Sequence, residues 1–173
     1  MCNPVTTRHP DALLAKGAID GYEWEVTANG IGYRCGYVRI PPGHPWHGKG
    51  YDEVRTADDG WPDVHGGLTF AEADTDCGKG GEDNAWWLGF DCAHAGDAPD
   101  PELPGYDARM SFGYGHDTVK TTDYVTAECR NLIAQADAAS RPDGEPRAGG
   151  EGGEEDAGGE AGKQAREHEG TPS

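Results

Sequence analysis

The densest group of chemically reactive side chains lies in the sequence GFDCAHAGD. Its last seven positions supply the carboxylates of Asp91 and Asp97, the thiol of Cys92 and the imidazole of His94. A second imidazole, His65, belongs to the earlier sequence HGGLTF. Such groups bind transition metals, transfer protons and act as nucleophiles. They are therefore the first candidates for a functional site.

Two predicted strands bring these residues together. Apolar side chains alternate along residues 64–70 and again along 86–91, which is the period of a half-buried β-strand. Sequential strands are usually neighbours, and the connection between these two is too short for a crossover helix, so we expect them to pair antiparallel. The start of the first strand then meets the end of the second. His65 is predicted to lie beside the Asp91–Asp97 turn.

Three chemical interpretations of this group stay open beside a structural one. In the first, His65, Asp91, His94 and Asp97 bind a divalent metal, because these residue types suit zinc or manganese, although their spacing matches no metal motif. In the second, Cys92 is a catalytic nucleophile with His65 or His94 as its base, although the adjacent Asp91 raises the pKa of a thiol. In the third, the same residues bind a ligand without chemistry. The structural alternative is a polar network that pins the loop.

A long loop is predicted over residues 41–62, and it contains the sequence HPWH near its start. Loops of this length in compact domains are usually functional or disordered, and two tryptophans and a tyrosine argue against simple disorder. We include Trp46 among the ligand-binding candidates, because an aromatic ring outside the core can stack on a base, a sugar or a partner side chain. His44 and His47 could complete a metal shell, but paired loop histidines are more often solvated.

The remaining patterns predict an α+β fold. Residues 22–26 alternate as a strand, a turn follows, and residues 31–40 form a second strand with a bulge at Gly36. One helix is expected after Thr121 or Thr122. Its apolar face, at helical spacing, consists of Val125, Cys129, Leu132, Ile133 and Ala136. We expect a small, mainly antiparallel sheet with long Gly/Pro-rich loops, closed by this C-terminal helix and followed by a disordered acidic tail.

Composition divides the chain into three parts. Residues 141–173 contain nine glycines, nine acidic and four basic residues, and no large apolar side chain. Such a segment cannot offset the entropy of ordering its backbone, which predicts a disordered tail. Residues 1–18 are predicted to be a flexible N-terminal segment, with a helical turn or coil around its single apolar stretch. Residues 19–140 then form a single α+β domain.

Charge and composition exclude several classes of function. The 173 residues carry a formal net charge of −18, and no cluster of Lys or Arg is present, so nucleic-acid binding is not expected. The longest apolar runs are only a few residues, which excludes a membrane span. Five widely spaced cysteines and the absence of a signal-peptide core indicate free thiols in a reducing cytoplasm.

The HGGLTF sequence and the longer sequence WWLGFDCAHAGD resemble a small protein family of tailed phages and prophages that has no assigned activity. The resemblance covers roughly residues 20–137. It implies a phage accessory protein in the cytoplasm of a bacterial host, and it supplies no catalytic residues. Two functions follow. The first is a non-enzymatic binder of a host small molecule or host protein, of host-takeover or anti-defence type. The second is a small metal-dependent or Cys/His hydrolase that uses the cluster of His65, Asp91, Cys92, His94 and Asp97.

Overall fold

The computed structural model describes residues 13–73, 86–111 and 116–141. These ranges contain the strands β1 Leu13–Ile19, β2 Tyr22–Ala28, β3 Arg34–Ile40, β4 Phe70–Ala73, β5 Trp86–Asp91, β6 Asp97–Ala98 and β7 Thr118–Val119, and the helix α1 Thr122–Ala139. The predicted acidic tail, apart from Arg141, and the acidic connection between β4 and β5 lie outside the described residues. No helix in the described ranges is long and apolar enough to cross a membrane.

Five strands form one antiparallel sheet in the order β1-β2-β3-β5-β4, and β6 and β7 form a separate parallel pair. The predicted α+β class is therefore confirmed. The antiparallel pairing of β4 with β5 is confirmed as well, and β5 lies inside the sheet between β3 and β4. The expected strand over 64–70 is wrong in extent: β4 starts at Phe70, and the residues before it form a turn and an extended segment.

Helix α1 covers one face of the sheet, across β1, β2 and β3. Thr121 is its N-cap and accepts a hydrogen bond from the backbone N–H of Tyr124, while Asp123 lies in the positively polarised first turn. All five residues of the predicted apolar face are buried: Val125, Cys129, Leu132, Ile133 and Ala136. They pack on Val26, Val38, Leu88 and Phe90 to form the main core. Burying this face is what holds the helix on the sheet.

Gly36 lies in a regular part of the β2–β3 ladder, paired with Val26, so the predicted bulge is wrong. A Cβ at this position would lie 2.4 Å from Cζ of Phe90 and 2.8 Å from Sγ of Cys129. Glycine is therefore needed here because the core packs directly against the backbone, which is a reason that does not involve the backbone angles.

The prediction of a helical turn or coil before residue 19 is wrong, because Leu13–Ile19 is the edge strand β1. It pairs with β2 through a two-residue turn, Asp20-Gly21, whose φ angles are 51° and 86°. Asp-Gly is a favoured dipeptide for such turns, so a signal for this hairpin was present in the sequence. Residues 1–12 lie outside the described ranges.

A buried ion pair ties the start of β3 to the segment after β6. Arg34 Nη2 lies 2.7 Å from Asp100 Oδ2, and both side chains are about nine-tenths buried. Arg34 also donates to the carbonyl of Lys120 and to the hydroxyl of Thr122, next to the helix N-terminus. Because these acceptors come from separate segments, this one guanidinium fixes the loop beyond β5 against the start of α1.

Candidate functional site

His65 lies in a tight turn just before β4, and helix α1 holds that turn in place. The backbone N–H of Gly67 donates to the carbonyl of Val64 over 2.9 Å and closes the turn. The backbone N–H of His65 donates to Glu128 Oε2 over 2.9 Å. Its Nδ1 lies 3.1 Å from the hydroxyl oxygen of Tyr124. Helix α1 thus contacts both the backbone and the imidazole of His65.

The loop after β5 makes a second tight turn that delivers Asp97 and His94. The backbone N–H of Asp97 donates to the carbonyl of His94 over 3.0 Å, and the N–H of His94 donates back to Asp97 Oδ2 over 2.9 Å. Gly96 has φ 94°, a conformation that glycine adopts without strain. The turn therefore places an aspartate and a histidine on the same short loop with their side chains adjacent.

The two turns meet at the Asp97 carboxylate. His65 Nε2 lies 2.8 Å from Asp97 Oδ2, and because a carboxylate only accepts, Nε2 carries the proton. The rings of His65 and His94 lie 5.6 Å apart between centroids. The predicted proximity of His65 to the Asp91–Asp97 turn is confirmed, although His65 reaches it from a turn rather than from a strand. The roles of these residues remain predictions.

Glycine allows this approach. Gly66 has φ 66°, and a Cβ there would lie 2.2 Å from Cε1 of His94. At position 66, the Cβ of any residue other than glycine would therefore collide with the imidazole of His94 in its present position. The HGG and HAGD sequences thus act together, since the first supplies a bare backbone against which the histidine of the second packs.

Asp97 is the buried centre of the group, with only 2% of its surface exposed. Burial alone would raise the pKa of Asp97, but the hydrogen bonds from His65 and from the His94 backbone, with the nearby Lys120 ammonium, outweigh it. The pKa of Asp97 therefore lies below its ordinary value. Lys120 Nζ is 3.4 Å from Oδ1 of this carboxylate, on the oxygen that His65 does not use.

Asp91 lies at the edge of this group. Its Oδ1 accepts a hydrogen bond from the backbone N–H of Ala93, and its Oδ2 accepts one from the hydroxyl of Thr69. The shortest approach to His94 is 3.9 Å, from Oδ1 to Nδ1. These two hydrogen bonds are those of a carboxylate that stabilises the loop.

The surroundings of Cys92 do not favour a nucleophile. Only 1% of Cys92 is exposed, and it belongs to the main core. Burial, with the carboxylates of Asp97 and Asp91, raises the pKa of its thiol to about 12. A thiol that stays protonated and out of contact with solvent cannot attack a substrate. The alternation of Leu88 and Phe90 into the core, extended by one step, already predicts this burial.

Trp46 is not available to a ligand either. It is 1% exposed and packs in the core, and its indole N–H donates to the carbonyl of Arg55 over 2.6 Å. His44 is buried beside it and uses both ring nitrogens. Its Nε2 donates to the carbonyl of Ala136, and its Nδ1 accepts from the Trp46 backbone N–H, each over 2.9 Å. The loop is therefore anchored beneath the end of α1 and does not offer these side chains to a ligand.

The same loop forms an open cleft of about 260 Å³ that the sequence interpretation missed. Its lining consists of Tyr51, Asp52, Trp61, Pro62, Gly67 and Leu68. Trp61 is 59% exposed and Tyr51 48%, whereas Trp24, Trp46 and Trp87 are buried. The guanidinium carbon of Arg55 lies 3.7 Å from the centroid of the Trp61 ring. In the sequence, the only indication of this cleft was the presence of Tyr51 and Trp61 in one long loop.

No protein-family model, curated protein or solved structure matches this chain. The resemblance to phage proteins therefore remains an expectation from the sequence. The chemistry of the site follows from its own geometry.

Proposed function

We infer that this chain is a phage accessory protein that binds a host component in the bacterial cytoplasm and does not catalyse a reaction. The resemblance of the HGGLTF and WWLGFDCAHAGD sequences supports the phage origin. The observation that carries the binding function is the cleft between Tyr51 and Trp61, where two large aromatic rings are left in solvent. Exposed aromatic rings beside an apolar cleft are typical of protein interfaces.

The size of the cleft favours a side chain of a partner protein over a free small molecule. Small-molecule sites occupy roughly 300–1,000 Å³, and this cleft measures about 260 Å³. One long side chain fits such a volume. The ligand is then a host protein that inserts a single residue, with the rest of the contact made by the surrounding loop surface.

Charge favours a cationic side chain. Asp52 lines the cleft, and the chain as a whole carries −18. The guanidinium of Arg55 already makes a cation–π contact with Trp61, and a cation from a partner would make the same kind of contact with this ring. Acidic surfaces also accelerate association with basic partners. We therefore assign the cleft to an arginine or lysine on the basic face of a host protein.

The thiol route to a hydrolase has no support, because Cys92 is buried and protonated. The metal-dependent form of that hydrolase would rely on the group formed by His65, His94 and Asp97, whose residue types suit a metal.

A peptide titration tests the binding function. Tryptophan fluorescence of the full chain is followed while an arginine-rich peptide is added at physiological salt, with a glutamate-rich peptide of equal length as the ligand control. The arginine peptide should bind, and Trp61→Ala should weaken its binding by about 5- to 30-fold, which corresponds to about 1–2 kcal/mol for one cation–π contact. Binding of this variant is followed by calorimetry, since its fluorescence differs.

Tyr106→Ala is the matched control, because Tyr106 is 42% exposed and does not line the cleft. It should bind the peptide as wild type does. Equal binding of the arginine and glutamate peptides, or unchanged affinity in Trp61→Ala, would contradict the proposal. A host protein that wild type captures and Trp61→Ala does not would then identify the partner.

A further inference from the structure

Three metal-ligating atoms converge beside the β5 loop. His65 Nε2, a ring nitrogen of His94 and an oxygen of Asp97 all lie within 4.8 Å of one another. Asp97 Oδ2 is 2.8 Å from His65 Nε2 and 3.6 Å from His94 Nδ1. In a tetrahedral zinc site with bonds of about 2.0–2.1 Å, ligand atoms lie about 3.3 Å apart. The observed separations lie on either side of that value.

One of these atoms lacks a hydrogen-bond partner. Nδ1 of His94 is buried and makes no hydrogen bond within the described parts of the chain. It faces the Asp97 and Asp91 carboxylates at 3.6 Å and 3.9 Å, beyond hydrogen-bonding distance. A buried polar atom without a partner is costly. A cation between Nδ1 and Asp97 would give this nitrogen the partner that it lacks.

The ligands are held in place by the fold rather than by the cation. Two closed turns carry them, and the bare backbone of Gly66 sets the position of the His94 ring. Preorganised ligands lose little entropy on binding, so the free energy of coordination goes into affinity. This distinguishes the group from carboxylates and imidazoles that meet by chance on a flexible surface.

The surrounding contacts also suit a metal. Histidine ligands usually bond an oxygen through their second ring nitrogen, and the Tyr124 hydroxyl lies 3.1 Å from Nδ1 of His65. If Nε2 of His65 loses its proton and binds the metal, Nδ1 of the same ring carries the proton and donates a hydrogen bond to the hydroxyl oxygen of Tyr124. Lys120 lies against Oδ1 of Asp97, which leaves Oδ2 facing the two imidazoles.

We propose that His65 Nε2, His94 Nδ1 and Asp97 Oδ2 bind one zinc ion. Two imidazoles and one carboxylate favour zinc over magnesium and calcium, which take oxygen ligands. In a zinc site with three protein ligands, a water molecule or a substrate takes the fourth coordination position. Asp91 is outside the ligand set, because its Oδ1 lies 3.9 Å from Nδ1 of His94 and the convergent group consists of His65, His94 and Asp97.

Zinc titration of the chelator-treated full chain tests this site. Calorimetry should give one zinc per chain, and cobalt in place of zinc should give the visible absorption of a tetrahedral nitrogen and oxygen site. His94→Ala should lose at least about 100-fold in affinity, the upper end of what outer-shell substitutions cost. Tyr124→Phe should lose about 10-fold, as a positioning residue does.

His116→Ala is the matched control, because His116 is an exposed histidine outside the group. It should bind zinc as wild type does. NMR of wild type provides a test that does not depend on a variant folding: zinc should shift the ring resonances of His65 and His94 and leave those of His116 in place. Binding of less than one zinc per chain, equal affinity in His94→Ala, or shifts at His116 alone would overturn the proposal.

The zinc site and the cleft can fail separately. None of the three zinc ligands lines the cleft, so Trp61→Ala should keep full zinc affinity and His94→Ala should keep peptide binding. Loss of both in both variants would show that the two regions are one site.

Discussion

Gly66→Ala should destabilise the protein more than Gly67→Ala, and the excess should disappear when His94 is also replaced by alanine. The two glycines are adjacent and have similar positive φ angles, 66° and 83°. Alanine at either position therefore costs about 1–2 kcal/mol in backbone strain. They differ in surroundings, because a Cβ at Gly66 meets the His94 ring at 2.2 Å while one at Gly67 meets nothing within 4 Å.

The excess follows from that contact. Non-bonded carbon atoms rest about 3.5–4.0 Å apart, so the ring must move by more than about 1 Å. Overpacking costs about 1–3 kcal/mol, and the low end applies here because the side chain is 35% exposed and can swing outward. We expect an unfolding free energy lower by about 2–3 kcal/mol for Gly66→Ala and about 1–2 kcal/mol for Gly67→Ala.

Urea unfolding measures the two substitutions in the wild-type and His94→Ala backgrounds, which makes a double-mutant cycle. In the His94→Ala background, Gly66→Ala and Gly67→Ala should agree within about 0.5 kcal/mol. An excess that persists without the imidazole would refute the packing of His94 on this backbone. Equal costs with the imidazole present would refute it as well.

Three further outcomes follow from the core and the buried polar groups. Leu132→Ala should lower the unfolding free energy by about 2–4 kcal/mol, because a fully buried side chain of α1 leaves a cavity. Arg34→Ala should cost about 3–5 kcal/mol, because it leaves the Asp100 carboxylate buried and uncompensated. Stability should fall as the pH drops below about 6.5, because burial lowers the pKa of His44 and the unfolded chain then binds the proton first. Urea unfolding at about pH 7.5 and about pH 5.5 measures this loss, and His44→Ala should reduce it.

Each of these has a control. Arg130→Ala, at an exposed position of α1, should change stability by less than about 0.5 kcal/mol. If Leu132→Ala cost equally little, the apolar face of α1 would not be packed on the sheet. Replacing Arg34 and Asp100 together by apolar residues should cost less than Arg34→Ala alone. If the loss between the two pH values is unchanged in His44→Ala, another group is responsible.

The elements whose side chains follow a local period could be predicted without the structure. The buried face of α1 was predicted residue by residue, because backbone geometry fixes which side chains share a face. The β2–β3 hairpin was predicted as well, although its strands differ in extent and have no bulge at Gly36. The pairing of β4 with β5 followed from a short connection, and with it the meeting of His65 and the loop after β5. The Asp20-Gly21 dipeptide after β1 was a comparable indication of a hairpin, although residues 1–18 were predicted to be flexible.

The positions of the side chains in the loop over residues 41–62 depend on the tertiary structure. Trp46 and His44 are in the core, while Trp61 from the same loop is in solvent, and no periodicity distinguishes them. Their positions depend on which surfaces the sheet and α1 leave uncovered, and that depends on the whole fold. The contact between Gly66 and His94 is of the same kind, since it joins two turns 28 positions apart. The residue types of His65, His94 and Asp97 indicated a possible metal site from the sequence. The distances between their ligand atoms, however, depend on how the two turns pack against α1.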